Sequence, residues 1–187
     1  MTLTQELDRL WEIVNDLERP IVAARKPGIA REQAEATFGH AVPDDVAAWY
    51  SYSDGIAYAG GQSQDDASLV PGFWPLSAIE AQAIRQEIAD LDEPLLSPKW
   101  IPLLANGGGD LYVATFAGRE VLHIATLSAD LDVSVVFKRI EEMVSGFCEL
   151  YRRGVFFVAD DGSLEADDDQ WEAFEAGPAF GDSTSSA

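Results

Sequence analysis

Few side chains in this sequence could perform nucleophilic or metal-assisted catalysis. There is one cysteine, Cys148, and there are two histidines, His40 and His123. Nucleophilic catalysis needs an activated Ser, Cys or Lys with a base within reach. Cys148 lies beside Phe147 in an apolar helical pattern, which predicts a buried and unreactive thiol. His123 stands in an apolar strand-like run and is expected to be structural, whereas His40 is expected to be exposed in a connector. The two histidines therefore do not predict an acid–base pair.

Metal and carboxylate chemistry also lack a specific pattern. A zinc site takes three or four Cys and His ligands, and the three such residues have no motif spacing. The segment DDGSLEADDD at 160–169 is rich in oxygen ligands, which leaves calcium as the weaker alternative to a plain acidic turn. A glycosidase needs two carboxylates at roughly 5–10 Å, but thirty-three acids always offer such pairs. We expect no enzyme, no metal and no cofactor.

A glycine-rich turn joins two apolar runs, with the sequence Asn106-Gly107-Gly108-Gly109-Asp110. A phosphate-binding loop would need a lysine and a following helix, but here an aspartate and a strand-like run follow. We interpret the segment as a structural turn in which Asn106 or Asp110 bonds the local backbone. At least one glycine is expected to have a positive φ, and close approach by another backbone is the alternative reason for three of them.

Negative charge is the dominant bulk property of the chain. Thirty-three acids and twelve bases give a net charge of −21, which argues against nucleic acid as a partner because phosphate binding needs clustered bases. No base follows Arg153, and none lies between Arg31 and Arg85. The acids either solubilise the surface or form a face complementary to a basic protein. The candidate partner-binding residues are Asp65, Asp66, Asp160, Asp161, Asp167, Asp168 and Asp169.

Hydrophobic periodicity predicts a single α+β domain over residues 1–176, with a flexible tail at 177–187. A central, mostly antiparallel sheet is expected to pack with N-terminal and C-terminal helices. No apolar run approaches the roughly 18 residues of a membrane span, and the first residues do not resemble a signal peptide. With only one cysteine, we expect a cytoplasmic protein with no membrane insertion. The predicted helices cover 3–18, 30–38, 43–53, 77–91, 137–153 and 168–174, and the predicted strands cover 73–76, 100–105, 111–116, 121–127 and 155–158.

The order of these signals resembles the SUKH superfamily, which includes fungal cell-wall-assembly regulators and bacterial immunity proteins. The most specific match is Trp100-Ile101-Pro102-Leu103 followed by the glycine turn and Leu111. The resemblance covers roughly residues 5–155 and leaves an acidic extension at 155–176. Further matching residues are Leu10-Trp11, Pro27-Gly28, Ala34 and Phe38, Val42 to Val46, Trp49-Tyr50, Asp54-Gly55, Phe73 to Ser77 and the helix from Phe137.

The resemblance implies an α+β interaction platform without a shared catalytic residue. Bacterial members are commonly immunity proteins that neutralise toxins, many of them nucleases with basic substrate grooves. The expected function is therefore toxin neutralisation by direct binding, with a basic toxin domain as the partner. The alternative is a regulatory adaptor for an endogenous cell-envelope or signalling protein.

Overall fold

In this computed structural model, residues 1–57, 60–88 and 93–177 are described. The expected helices, the meander and the closing α-helix combine into an α+β domain, as predicted. Two short 3₁₀ turns, Asp65–Ala67 and Pro94–Leu96, lie in the connections. The helices are α1 (Leu3–Asp16), α2 (Ile21–Ala24), α3 (Arg31–Phe38), α4 (Asp44–Tyr52), α5 (Ala78–Glu87), α6 (Ile140–Arg152) and α7 (Asp168–Glu175). The strands are β1 (Phe73–Pro75), β2 (Lys99–Asn106), β3 (Leu111–Ala117), β4 (Glu120–Leu127), β5 (Val133–Phe137), β6 (Phe156–Val158) and β7 (Leu164–Ala166).

The central sheet has five strands in the order β1-β2-β3-β4-β5, and each pair is antiparallel. The predicted meander is thus present and is extended by one strand at each edge. The turns β2–β3 and β4–β5 lie at the same end of the sheet, because Leu111 at the start of β3 pairs with Leu127 at the end of β4. A separate hairpin, β6–β7, follows α6.

Helices cover both faces of the sheet. The ring of Tyr112 in β3 contacts Phe147 of α6 at a centroid distance of 5.5 Å. Its neighbour Leu111 lines a groove beside Ile84 of α5. Because successive strand residues point to opposite faces, α6 and α5 lie on opposite sides of the sheet. Helix α7 lies on the α6 side, where Trp171 contacts Phe156 at 4.9 Å.

The amphipathic helices form where the sequence predicts them. Thr2 and Gln5 make a capping box at the start of α1, and the buried stripe of α1 packs against α6. The apolar spacing of the sequence predicts seven large side chains in the core, and six are buried, namely Trp11, Trp49, Phe116, Ile140, Met143 and Phe147. The seventh, Trp100, packs against the core near the start of β2 but stays partly exposed.

Several expected elements differ in position. Phe137 ends strand β5 instead of beginning the closing helix, which starts at Ile140. The hairpin strand β7 and the short helix α2 were not predicted. Helix α5 ends at Glu87, and residues 89–91 of the expected helix lie outside the described part of the chain. The expected flexible tail also lies outside it, except for Gly177.

Candidate partner-binding surface

The glycine turn between β2 and β3 is held by its own side chains. The Asn106 Oδ1 atom accepts the N–H groups of Gly108 at 2.9 Å and Asp110 at 2.8 Å. Its Nδ2 group donates to Asp110 Oδ2 at 2.7 Å, and Asp110 Oδ1 accepts the N–H of Ala129 at 3.0 Å. The turn is therefore a structural one, and Asp110 also ties it to the neighbouring turn between β4 and β5.

The local structure explains why two of the three positions in the turn are glycine. Gly109 has a φ of +97°, a conformation that favours glycine, so the expectation of a positive φ is confirmed. A Cβ on Gly107 would overlap the side-chain amide of Gln64, so the close approach comes from a flexible side chain and not from another backbone. A Cβ on Gly108 would meet no atom closer than 3.4 Å, and nothing in its surroundings requires glycine.

The two acidic stretches that the sequence separates meet at Arg19, whose guanidinium is buried. Its Nη2 donates to Asp65 Oδ2 at 2.6 Å and to the Asp65 carbonyl at 2.9 Å, while Nη1 donates to the Gly162 carbonyl at 2.6 Å. The second oxygen of Asp65 accepts the N–H of Leu164 at 2.9 Å. The β6–β7 turn therefore lies beside the Asp65 loop, and Asp65 is occupied by intramolecular contacts.

Three other candidate acids also have local partners. Asp66 accepts the N–H of Ser63, Asp161 accepts the N–H and hydroxyl of Ser163, and Asp167 caps α7 by accepting the N–H of Gln170. These hydrogen bonds hold the pKa of each carboxyl below its ordinary value. The remaining candidates, Asp160, Asp168 and Asp169, are exposed.

An acidic cleft of about 370 Å³ lies between α7 and the glycine turn. Its floor includes Phe73, Tyr112 and Trp171. Among the lining residues that the structure describes there is no Lys or Arg, so all of the charged residues that line the cleft are acids. Its acidic residues are Asp110, Asp168, Glu172 and Glu175.

Glu175 is the most enclosed acid of this cleft. Its Oε1 accepts the Tyr112 hydroxyl at 2.5 Å and the Trp171 Nε1–H at 3.1 Å. Burial raises the pKa of Glu175, and the two hydrogen bonds oppose that rise. Burial also raises the pKa of Tyr112 well above its ordinary value. Glu175 therefore anchors α7 to the sheet, while Asp168 and Glu172 are exposed at the rim.

The residues that suggested catalysis occupy structural positions. Cys148 is buried, and burial raises its thiol pKa to about 12. His123 Nε2 lies 2.8 Å from the Leu95 carbonyl. His40, expected to be exposed, is instead partly buried with its ring beside Phe38 and Phe116, and burial lowers its pKa. No three His, Cys, Asp or Glu residues in the described ranges come together as a metal site.

Sequence comparison identifies the family. The sequence model of the SMI1/KNR4 family (SUKH-1) matches residues 31–146, which is more than half of the chain. The chain belongs to this family. No individual curated protein matches it.

SUKH membership confirms the predicted resemblance and implies that the chain acts through protein–protein interaction. The family is generally non-catalytic. Across residues 1–57, 60–88 and 93–177, no helix has the length and apolar character of a membrane span.

The residues matched by the family model include only part of the acidic cleft and of the Arg19 contact. The glycine turn falls within residues 31–146, whereas Arg19 and helix α7 lie outside that range. The acidic cleft therefore has one wall from the family core and one from the C-terminal extension. Glu172 and Glu175 were not among the candidate residues, although their spacing with Asp168 places all three on one face of a helix.

Proposed function

We propose that this SUKH protein is a cytoplasmic immunity protein that neutralises a toxin by direct binding and has no catalytic activity of its own. The supporting observation is the acidic cleft, together with the exposed acids of α7 and the β6–β7 turn. A cleft whose charged lining residues are all acids suits a basic surface such as the substrate groove of a nuclease. Long-range attraction between such surfaces raises the association rate and weakens as salt screens it.

The exposed acids without an intramolecular role are the ones proposed to meet the partner. Asp65, Asp66, Asp161 and Asp167 already hold local structure, so replacing them would confound binding with folding. Asp160, Asp168, Asp169 and Glu172 are exposed, and their carboxylates make no hydrogen bond or ion pair with the described residues. These four acids are therefore the ones to replace in a test of binding.

The test starts with capture of the partner from the native host and inspection of the genes beside its own. The toxin encoded there is expected to arrest growth, and co-expression of this chain is expected to restore it. Changing Asp160, Asp168 and Asp169 to Asn and Glu172 to Gln should slow association with the toxin and flatten its salt dependence. A matched control with Glu12, Glu32 and Glu120 changed to Gln and Asp16 to Asn removes as many exposed charges elsewhere.

The control should leave the association rate much closer to that of the unchanged protein. Equal slowing by both variants would mean that only net charge matters and that α7 is not the contact surface. A captured partner that is an endogenous envelope or signalling protein, with no growth arrest to relieve, would replace toxin neutralisation by the adaptor role.

A further inference from the structure

An apolar groove of about 550 Å³ lies on the α5 side of the sheet, across the glycine turn from the acidic cleft. Trp74 and Leu127 line it from the sheet, Ile84 and Ile88 from α5 and the segment after it, and Leu131 from the β4–β5 turn. Each of these side chains except Leu127 remains at least partly exposed. The groove is therefore a part of the sheet face that α5 leaves uncovered.

The charges around the groove have one sign. Among the described residues that line it, the ionisable ones are Glu80 and Glu87, and both are acids. Arg85 of the same helix is directed elsewhere, since it donates to Gln82 and lies over the ring of Phe38 at 5.8 Å. No Lys or Arg therefore lines the groove within the described ranges, so its apolar surface has an acidic rim.

Leu131 has an unusual backbone for its side chain. Its φ is +69°, in the left-handed region that Gly, Asn and Asp adopt more readily, and its side chain is 45% exposed. The turn itself is well bonded, with the Leu131 N–H donating to the Ser128 carbonyl at 2.9 Å. An exposed leucine in a strained position contributes little to the fold, and retained strain of this kind is typical of binding sites.

We propose that the apolar groove receives the apolar face of a basic amphipathic segment of the partner protein. Its apolar side chains would lie between α5 and Leu131, and its Lys or Arg residues would face Glu80, Glu87 and the acids Asp130 and Asp132 beside Leu131. Apolar burial supplies the affinity and the acidic rim selects the charge. A second copy of this chain, with a net charge of −21, would be repelled by the same rim. The basic charge of the partner in this inference rests on the proposed function.

The probe is a fluorescein-labelled 14-residue helical peptide made of Leu and Lys, compared with a Leu/Glu peptide and a Ser/Lys peptide. Fluorescence anisotropy is expected to show binding of the Leu/Lys peptide alone at physiological salt. Leu131→Asn should weaken that binding roughly tenfold or more, the equivalent of losing one buried aliphatic contact. Leu122→Asn is the matched control, because Leu122 is 44% exposed in β4 but does not line the groove.

Two further readouts separate binding from folding. Leu131→Asn should unfold in urea at the same midpoint as the unchanged protein or at a higher one, because Asn accepts the left-handed backbone. Peptide binding should change the tryptophan emission, and Trp74→Phe should abolish that change. Equal affinity for wild type and Leu131→Asn, or equal binding of the Ser/Lys peptide, would overturn the proposal.

Other occupants of the groove give different outcomes. A dimer in sedimentation velocity that Leu131→Asn dissolves would assign the groove to a second copy and overturn the proposal. Tighter peptide binding by Phe180→Ser would instead assign the groove to the C-terminal residues of the chain itself and would also overturn the proposal. A captured toxin that binds Leu131→Asn normally would overturn the groove inference and leave toxin neutralisation standing. Peptide binding by a chain that has no toxin partner would leave the groove inference standing and overturn toxin neutralisation.

Discussion

Asp110 in the β2–β3 turn accepts the backbone N–H of Ala129 in the β4–β5 turn at 3.0 Å. This hydrogen bond joins two turns that are separated in the sequence. The other carboxylate oxygen of Asp110 accepts a hydrogen bond from the Asn106 side chain. The glycine turn, which lies within the family match, thus positions the loop that carries Leu131. The acidic cleft and the apolar groove share this turn as their common wall.

Replacing Asp110 should weaken the fold and loosen both turns. Asp110→Ala removes the acceptor of one partly buried donor, Asn106 Nδ2, and of one exposed donor, the Ala129 N–H, which should lower the free energy of unfolding by about 1–2 kcal/mol. Asp110→Asn should cost less, because its one carbonyl oxygen can still accept one of the two donors. Urea unfolding measures both changes. Asp130→Ala, an exposed neighbour, is the control, and an Asp110→Ala variant as stable as that control would contradict the role of Asp110.

Substitution of Arg19 should lower the free energy of unfolding far more than substitution of an exposed arginine. Arg19→Met leaves the Asp65 carboxylate and two carbonyls without their donor, which should cost about 3 kcal/mol, the low end for a broken buried pair. The low end applies because the Asp65 side chain keeps 33% exposure. Arg19→Lys should cost nearly as much, since one ammonium cannot span three separate acceptors.

A double-mutant cycle with Asp65→Asn tests the same contact. The loss for Arg19→Met and Asp65→Asn together should be smaller than the sum of the single losses, because both remove one shared interaction. Chemical denaturation provides the four free energies. Strict additivity would show that Arg19 and Asp65 act independently.

Stability should depend on the ionisation of Glu175. Its pKa is raised by burial in the folded state, so the folded protein holds this proton at pH values where the unfolded chain has released it. The contribution of Glu175 to stability therefore falls as pH rises from the unfolded pKa, near 4.3, through the folded pKa, and is constant above that.

Glu175→Gln removes this titration and keeps an acceptor for Tyr112 and Trp171. The stability of the variant relative to the unchanged protein should therefore increase with pH from about 4 and then reach a plateau. Unfolding free energies measured across pH 4–8 give this difference. A difference that stays constant or falls with pH would contradict the raised pKa.

Cys148 should react only when the protein unfolds. Its thiol is buried and its pKa is raised to about 12, so almost no thiolate is present or accessible at neutral pH. The rate of labelling by a thiol reagent should rise with urea in parallel with the loss of circular dichroism. Fast labelling in native buffer would place Cys148 at an accessible position.

Much of the fold could be predicted because its main elements have strong local signals. Turn residues separate the three meander strands, and apolar spacing marks α1 and α6. Strand β5 was missed because its last residue, Phe137, continues the apolar spacing of Ile140 and Val144 in α6. The side chain of Phe137 packs on Phe147 from the strand, with ring centroids 6.0 Å apart, so the periodicity crosses an element boundary.

The candidate site was harder to predict, because an acid's role depends on distant partners. Asp65 is adjacent to Asp66 in the sequence, but its carboxylate accepts hydrogen bonds from Arg19 and from Leu164, which is 99 residues away. Periodicity carries no information on such contacts. In contrast, the spacing of Asp168, Glu172 and Glu175 along α7 did contain the signal for the acidic cleft.

The Arg19 contact also sets an order of events during synthesis. Arg19 and its acceptor Gly162 are separated by 143 residues, so the arginine leaves the ribosome long before that carbonyl exists. Contacts of such high sequence separation form late and slow the completion of folding. The nascent chain can therefore pair Arg19 with Asp65 early but lacks the Gly162 acceptor until the β6–β7 hairpin has emerged. Closure of the N-terminal segment against the β6–β7 hairpin therefore waits until the chain has been synthesised beyond Gly162.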